Sequence, residues 1–112
     1  MLRNEKVFTL IELVMIIIIL GILAAIAVPR FVDLSTDARG AVLDASIGAL
    51  KSAAIIQFAQ RRGVASTLVS IRAQTDLDAA VTITGPCTGG TATHSGGGPT
   101  RLWSIQSIYC SP

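Results

Sequence analysis

FTLIELVMIIIILGILAAIAVPRF, residues 8–31, decides how the rest of the chain is read. From Phe8 to Val28, 18 of 21 residues are apolar, and only Thr9, Glu12 and Gly21 interrupt the run. Wound as a helix it would span about 32 Å at 1.5 Å per residue, the thickness of a bilayer's hydrocarbon core. The remaining 84 residues from Pro29 onward are about 43% apolar, which is ordinary globular usage. The 51% hydrophobic content of the 112-residue chain is therefore a membrane-length segment joined to a small water-compatible part.

Working outward, the preceding residues MLRNEKV are polar, and Arg3 and Lys6 favour a cytoplasmic N-terminus by the positive-inside rule, with Arg30 on the far flank weakening the bias. Three readings of the apolar run stand side by side. It is a plain anchor, or a secretory signal cut after Ala27 at Ala25-Ile26-Ala27, which would release a small disulfide-stapled binding domain. The third reading turns on Glu12. A carboxylate inside an apolar helix costs about 2.5–3.5 kcal/mol on insertion scales, so it marks a function and needs a partner. Neither an anchor nor a signal has a use for it.

Composition excludes other classes. A formal charge of +2 is too small for a protein that coats nucleic acid, and no nucleic-acid partner is expected. An enzyme is not expected: there is one histidine, His94, and no HExxH, GxSxG, GxGxxG or P-loop pattern. The two cysteines, Cys87 and Cys110, are too few for a structural zinc site and too far apart for a CxxC motif, so neither metal nor cofactor is expected.

From Arg30 to about Arg62 the chain is rich in helix formers. Arg30, Asp33, Asp37, Asp44 and Lys51 recur at steps of three, four and seven, which gives one polar stripe. The opposite arc holds Phe31, Leu34, Ala38, Ala41, Ala45 and Ile55, and a further row holds Leu43, Ile47, Leu50, Ala54 and Phe58. One row is expected to face the chain's own C-terminal part and the other neighbouring copies. Arg61, Arg62 and Gly63 read as a helix end, with cations in the last turn and glycine beyond it. A helix from Phe8 to Arg62 would measure about 80 Å, suited to a stalk that packs against copies of itself. Pro29 removes a backbone donor, leaving the Ala25 carbonyl without its helical partner, and Gly21 lowers helix preference upstream, so Gly21–Pro29 is the expected weak point.

After the helix, Val64 to Ala80 is ambiguous, and Leu68, Ile71 and Leu77 would line a short helix there. Val81-Thr82-Ile83-Thr84 reads as a strand ending at the turn Gly85-Pro86, and Trp103 to Tyr109 as a second strand. Between them CTGGTATHSGGGPT, with its clustered glycines, reads as an exposed, mobile loop that would leave His94 in solvent. Arg61, Arg62, Arg72 and Arg101 read as a scattered solvated set. So few large apolar residues need the long helix as a backing.

Phe8-Thr9-Leu10-Ile11-Glu12, with Glu12 fifth from Phe8, then the long apolar run, Pro29 and Phe31, resembles the start of type IV pilins over residues 6 to about 35. VPRFVDLSTDARGAVLDA is similar to pilins of the mannose-sensitive haemagglutinin type. The resemblance implies an α+β fold: a long N-terminal helix, half hydrophobic and half amphipathic, packed against a small antiparallel β-sheet with a disulfide-closed C-terminal loop. It divides the chain into a leader (1–7), a membrane and filament-core helix (8–29), an amphipathic helix (30–62) and a C-terminal head (63–112). It implies a structural pilus subunit that sits in the bacterial inner membrane before assembly and in an extracellular filament after it. The partners implied are other copies of the chain, the prepilin peptidase and the assembly machinery. A type II secretion pseudopilin or a minor pilin shares these features.

The resemblance also implies residue roles. Cleavage would fall between Val7 and Phe8, with N-methylation of Phe8. The Glu12 carboxylate would pair with the free amine of Phe8 in a neighbouring copy, and helix would be lost between Gly21 and Pro29 on assembly. One position departs from the family: the leader normally ends in glycine, and here a β-branched valine, Val7, stands there. Cys87 and Cys110 are expected to be bridged, as exported chains favour and as many pilins do, with two free thiols as the alternative. Closing a loop of about 24 residues would contribute about 3 kcal/mol.

Overall fold

Helix-forming residues run almost unbroken for the first half of the chain, and they form one helix. In the computed structural model, which describes residues 7–112, α1 covers Leu10–Gln60. It stays helical through Gly21 and Pro29, the expected weak point. It is two residues shorter at each end than the Phe8–Arg62 expectation, because each end is capped by its own neighbours.

The C-terminal cap explains the boundary. The Gly63 N–H donates to the Phe58 carbonyl at 2.9 Å and the Arg62 N–H to the Ala59 carbonyl at 3.2 Å. This pair of bonds is a Schellman motif, which satisfies carbonyls the helix leaves orphaned. The left-handed position falls on Arg62 (φ 56°) as well as Gly63 (φ 87°), so an arginine occupies the site that usually selects glycine.

The chain divides into two compact units, one up to Leu34 and the other Ser35–Pro112. In the second unit α1 is followed by β1 (Ser66–Thr67), α2 (Leu68–Ala73), β2 (Val81–Thr84), β3 (Gly90–His94), β4 (Arg101–Trp103) and β5 (Cys110–Ser111). Strands β2, β3 and β4 form an antiparallel sheet in that order, with Val81 opposite His94 and Gly90 opposite Trp103. Strands β1 and β5 form a separate parallel pair, Ser66 opposite Cys110. Thr67 caps α2 by accepting the Ser70 N–H at 3.4 Å.

The core lies between one face of α1 and this sheet. Of the two apolar rows it is Leu43, Ile47, Leu50 and Ala54 that face the C-terminal part, buried against Ile71, Val81, Ile83, Ala92, Trp103 and Ile105. Each large aliphatic side chain contributes about 1.5–3 kcal/mol by leaving water. Phe58 ends the row, edge-on to Tyr109 with ring centroids 5.1 Å apart. Buried Gln57 ties α1 to α2, its Nε2 donating to the Ser70 carbonyl at 2.7 Å. The Cys87–Cys110 bridge is present, its Cα atoms 5.7 Å apart, and both cysteines are buried.

Two expectations for this region are corrected. The glycine-rich stretch 87–100 is not a loop throughout, because Gly90–His94 forms β3, the central strand. His94 is accordingly half-buried at a strand end, its Nδ1 accepting the Gly96 N–H at 3.0 Å. The second strand is Arg101–Trp103 rather than Trp103–Tyr109. Beyond Trp103 the chain turns: the Ile105 N–H donates to the Cys87 carbonyl and the Tyr109 N–H to the Gln106 carbonyl, which brings Cys110 back to Cys87.

Gly90 is what lets β3 occupy the centre. A Cβ there would overlap the Thr84 carbonyl oxygen and stand 2.9 Å from the Trp103 indole nitrogen. With hydrogen in that place, Trp103 Nε1 reaches across the glycine and donates to the Thr84 carbonyl at 3.2 Å.

Candidate assembly surface

In the first unit the apolar segment has no core of its own. Of the described residues up to Leu34, only Val14 and Ala27 are even half-buried. Phe8 is 77% exposed, Phe31 69%, and the isoleucines and leucines between them are all exposed. Continuous apolar surface on this scale does not persist in water, so it is a surface built to be covered. By length and composition α1 is also able to cross a membrane.

Glu12 sits one turn into this helix, and its carboxylate has a local task. Glu12 Oε2 accepts the Thr9 N–H at 2.9 Å, and the Glu12 N–H donates to Thr9 Oγ1 at 3.3 Å. This is a capping box: Thr9 is the N-cap and Glu12 the third helical residue, and each satisfies a donor the helix start leaves open. The spacing Thr9-x-x-Glu12 carries that signal, which the reading of Glu12 as a lone carboxylate overlooked. The bonds place the carboxylate beside the backbone of Phe8 and Thr9, at the end of the chain where cleavage after Val7 would create an amine. Val7 is exposed, and Arg3 and Lys6 of the expected leader lie outside the described residues.

Gly21 and Pro29 lie within this helix without packing partners for the glycine. A Cβ on Gly21 would touch nothing within 4 Å, so the unit itself gives no reason for its presence. A helical glycine costs about 1 kcal/mol against alanine, and Pro29 removes one helical hydrogen bond.

In the second unit the other apolar row remains uncovered: Ala38, Ala41 and Ala45 are exposed and Ile55 is 52% exposed. The polar stripe is partly used. Arg101 Nε donates to Asp44 Oδ1 at 3.0 Å, so Arg101 is not one of a scattered solvated set but ties β4 to α1. Buried Gly40 lies beneath this arm, and a Cβ there would come within 3.1 Å of Arg101 Nη2 and 3.2 Å of Pro99 Cγ.

The chain is 41% identical over 112 aligned residues to the type IV narrow pilus major component PilA5 of Thermus thermophilus, a match covering 91% of this chain and 97% of that protein. It belongs to the type IV pilins. Two fimbrial proteins of Pseudomonas aeruginosa are each 33% identical to this pilin over 75 residues, covering 67% of it and 49% of their own length. No family model and no solved structure matches it. The pilin's fold is the α+β arrangement expected of the family: one long N-terminal helix, a small antiparallel sheet and a bridged C-terminal region.

Proposed function

We propose that this pilin is a structural subunit of a type IV pilus, held in the inner membrane by the apolar part of α1 and then assembled through that helix into an extracellular filament. The observation that carries the proposal is an apolar helix exposed along nearly all of the stretch up to Leu34, in a chain that matches a named pilus component nearly end to end. A helix with that surface has two stable environments, lipid and a bundle of its own kind. The relative's description as a major component favours this reading over a pseudopilin or minor subunit. With 91% of the chain matched, too few residues are left over to place the whole apolar segment outside the likeness, which weighs against removal after Ala27.

Within this proposal the prepilin peptidase cuts between Val7 and Phe8, and Phe8 is N-methylated. A free amine with a reference pKa of about 7.7–8.0 is largely protonated at neutral pH, and Glu12 of a neighbouring copy is its counter-ion. The pairing fixes register between copies, because a subunit one turn out of place leaves both charges uncompensated in an apolar surround. Gly21 and Pro29 weaken the helix where assembly would stretch it.

The capping box supplies a discriminating test. Glu12→Gln keeps a side-chain acceptor for the Thr9 N–H and removes the charge, whereas Glu12→Ala removes both. Both variants are expected to insert in the membrane and to give few filaments. Normal filament yield from Glu12→Gln would refute charge pairing and leave only the cap. Mass spectrometry of the filament subunit is expected to show a methylated Phe8 at the N-terminus; a start at Val28 would sink the proposal.

A further inference from the structure

Strand β4 is an edge of its sheet, paired with β3 on one side and with no strand on the other among the described residues. The chain keeps a strand's alternation beyond it: Leu102, Ser104 and Gln106 are exposed, and Trp103 and Ile105 between them are buried. An unpaired edge of this kind is a template for a further strand. Two adjoining hollows, of about 450 and 260 Å³, follow the same stretch. Leu102, Trp103 and Ser104 line the first, Ser104, Ile105 and Gln106 the second, and Lys51 of α1 lines both. We infer that this edge is a docking site for an extended segment of a partner protein, laid alongside residues 102–106, with an acidic side chain on Lys51 and an apolar side chain in each hollow.

Lys51 selects the charge. It is exposed, and among the described residues it has no acidic partner. Its helix neighbours three and four positions away are Ile47, Gly48, Ala54 and Ile55, so α1 supplies none. The next acid back along the helix, Asp44, lies two turns away and is bound to Arg101 at 3.0 Å. No Asp or Glu follows Asp78, so neither β3 nor β4 brings an acid to the hollows. Lys51 is also the one charged residue among those lining them, in walls that include Leu102, Trp103, Ile55 and Tyr109.

Spacing selects the form of the occupant. Alternate side chains of a strand share one face at steps of about 6.8 Å. A segment reading apolar–x–acid–x–apolar therefore presents its three side chains to the first hollow, to Lys51 and to the second hollow in turn. Its backbone meets the unpaired groups of β4, the division of labour found when a strand is added to a sheet edge. A second copy of the chain does not supply that segment. Of its seven acidic residues only Glu12 has a large apolar residue two positions to either side, Leu10 and Val14, and all three are wound into α1.

The test mixes the full chain in detergent with labelled synthetic peptides, Ser-Val-Thr-Asp-Thr-Val-Ser and its Leu and Phe counterparts. Anisotropy of the label gives the affinity, and emission of Trp103, which lines the first hollow, gives the location. Saturable binding that shifts Trp103 emission is expected from at least one peptide. Lys51→Glu is expected to weaken it by about tenfold, and a peptide with lysine in place of the aspartate is expected to prefer that variant to the wild type. N-methylation of one alternate set of peptide nitrogens is expected to abolish binding, and of the other set to leave it. An unchanged urea midpoint for Lys51→Glu shows that the head remains folded. No binding by any of the peptides, or binding that Lys51→Glu leaves unchanged, would overturn the site. Binding that survives methylation of either set would overturn strand addition. Alginate binding as tightly as the peptides would assign the hollows to an acidic polysaccharide, and dimers of the chain dispersed by the peptides would assign them to a second copy; either result overturns the inference. Filament formation plays no part in these measurements, so the filament reading stands or falls separately.

Discussion

Replacing both Cys87 and Cys110 by alanine should strongly destabilise the head while leaving its surface untouched. The bridge joins positions 23 residues apart, and the loop-closure relation gives about 3.4 kcal/mol of denatured-state entropy for a loop of that size. Alanine is the right replacement because both sites are buried in an apolar setting, where serine would add an unpaired hydroxyl. A unit of the size of Ser35–Pro112 is stable by only about 4–12 kcal/mol, so the bridge supplies a large fraction. At about 4–8 °C per kcal/mol, the expected fall in Tm is about 14–27 °C. Trp103, the chain's single tryptophan and a buried one, reports this unfolding without interference from the long helix. The assay is urea titration of the full chain in detergent, following Trp103 emission, with and without the bridge. The m-value is expected to rise as the denatured chain expands. A loss below about 1 kcal/mol at unchanged m would refute the loop-entropy reasoning, since the denatured chain would then already hold the two ends together.

Other perturbations follow from the same structure. Gly90→Ala should cost about 3–4 kcal/mol, by forcing the Thr84 carbonyl aside and losing the Trp103 hydrogen bond, and should shift Trp103 emission to the red. Arg62→Gly should stabilise the head by about 0.5–1 kcal/mol in the same urea assay, because the left-handed position then carries no Cβ. Asp44→Ala should cost less than about 1 kcal/mol, and most of that difference should vanish at about 1 M salt, as befits an exposed pair with Arg101.

The parts of the fold that were legible in the sequence are those governed by periodicity. The apolar block from Phe8 and the row Leu43, Ile47, Leu50, Ala54 are set by spacing alone, and the structure buries that row against the sheet. Strand β2 was legible because Val81 and Ile83 alternate with threonines, and they are buried. Strand β3 was not, because its centre is a single alanine between threonines and its first residue is glycine. Those small residues read as a loop, yet they are what a strand crossed by an indole requires. The alternation of Trp103 and Ile105 was real, since both are buried, but it ran past the end of the strand because no partner strand continues alongside. At the candidate site, Glu12 is legible as a costly carboxylate, whereas its capping role depends on where the helix begins, which the unbroken apolar run from Phe8 does not mark.

The separate β1–β5 pair has a consequence for how the head folds. The hairpin between β2 and β3 closes at Thr84 and Thr91, a short loop, whereas β1 and β5 must bring residue 66 to residue 110. The longer closure costs about 1.6 kcal/mol more in chain entropy, which makes it the slow, high-contact-order step. The bridge changes that distance along the chain. Once Cys110 is tied to Cys87, the path from Ser66 to Cys110 runs through the sulfurs and is roughly halved, saving about 0.6 kcal/mol at the barrier as well as in the final state. Oxidation thus acts as a covalent shortcut: it shortens the stretch of chain that must close before the last strand can meet its partner.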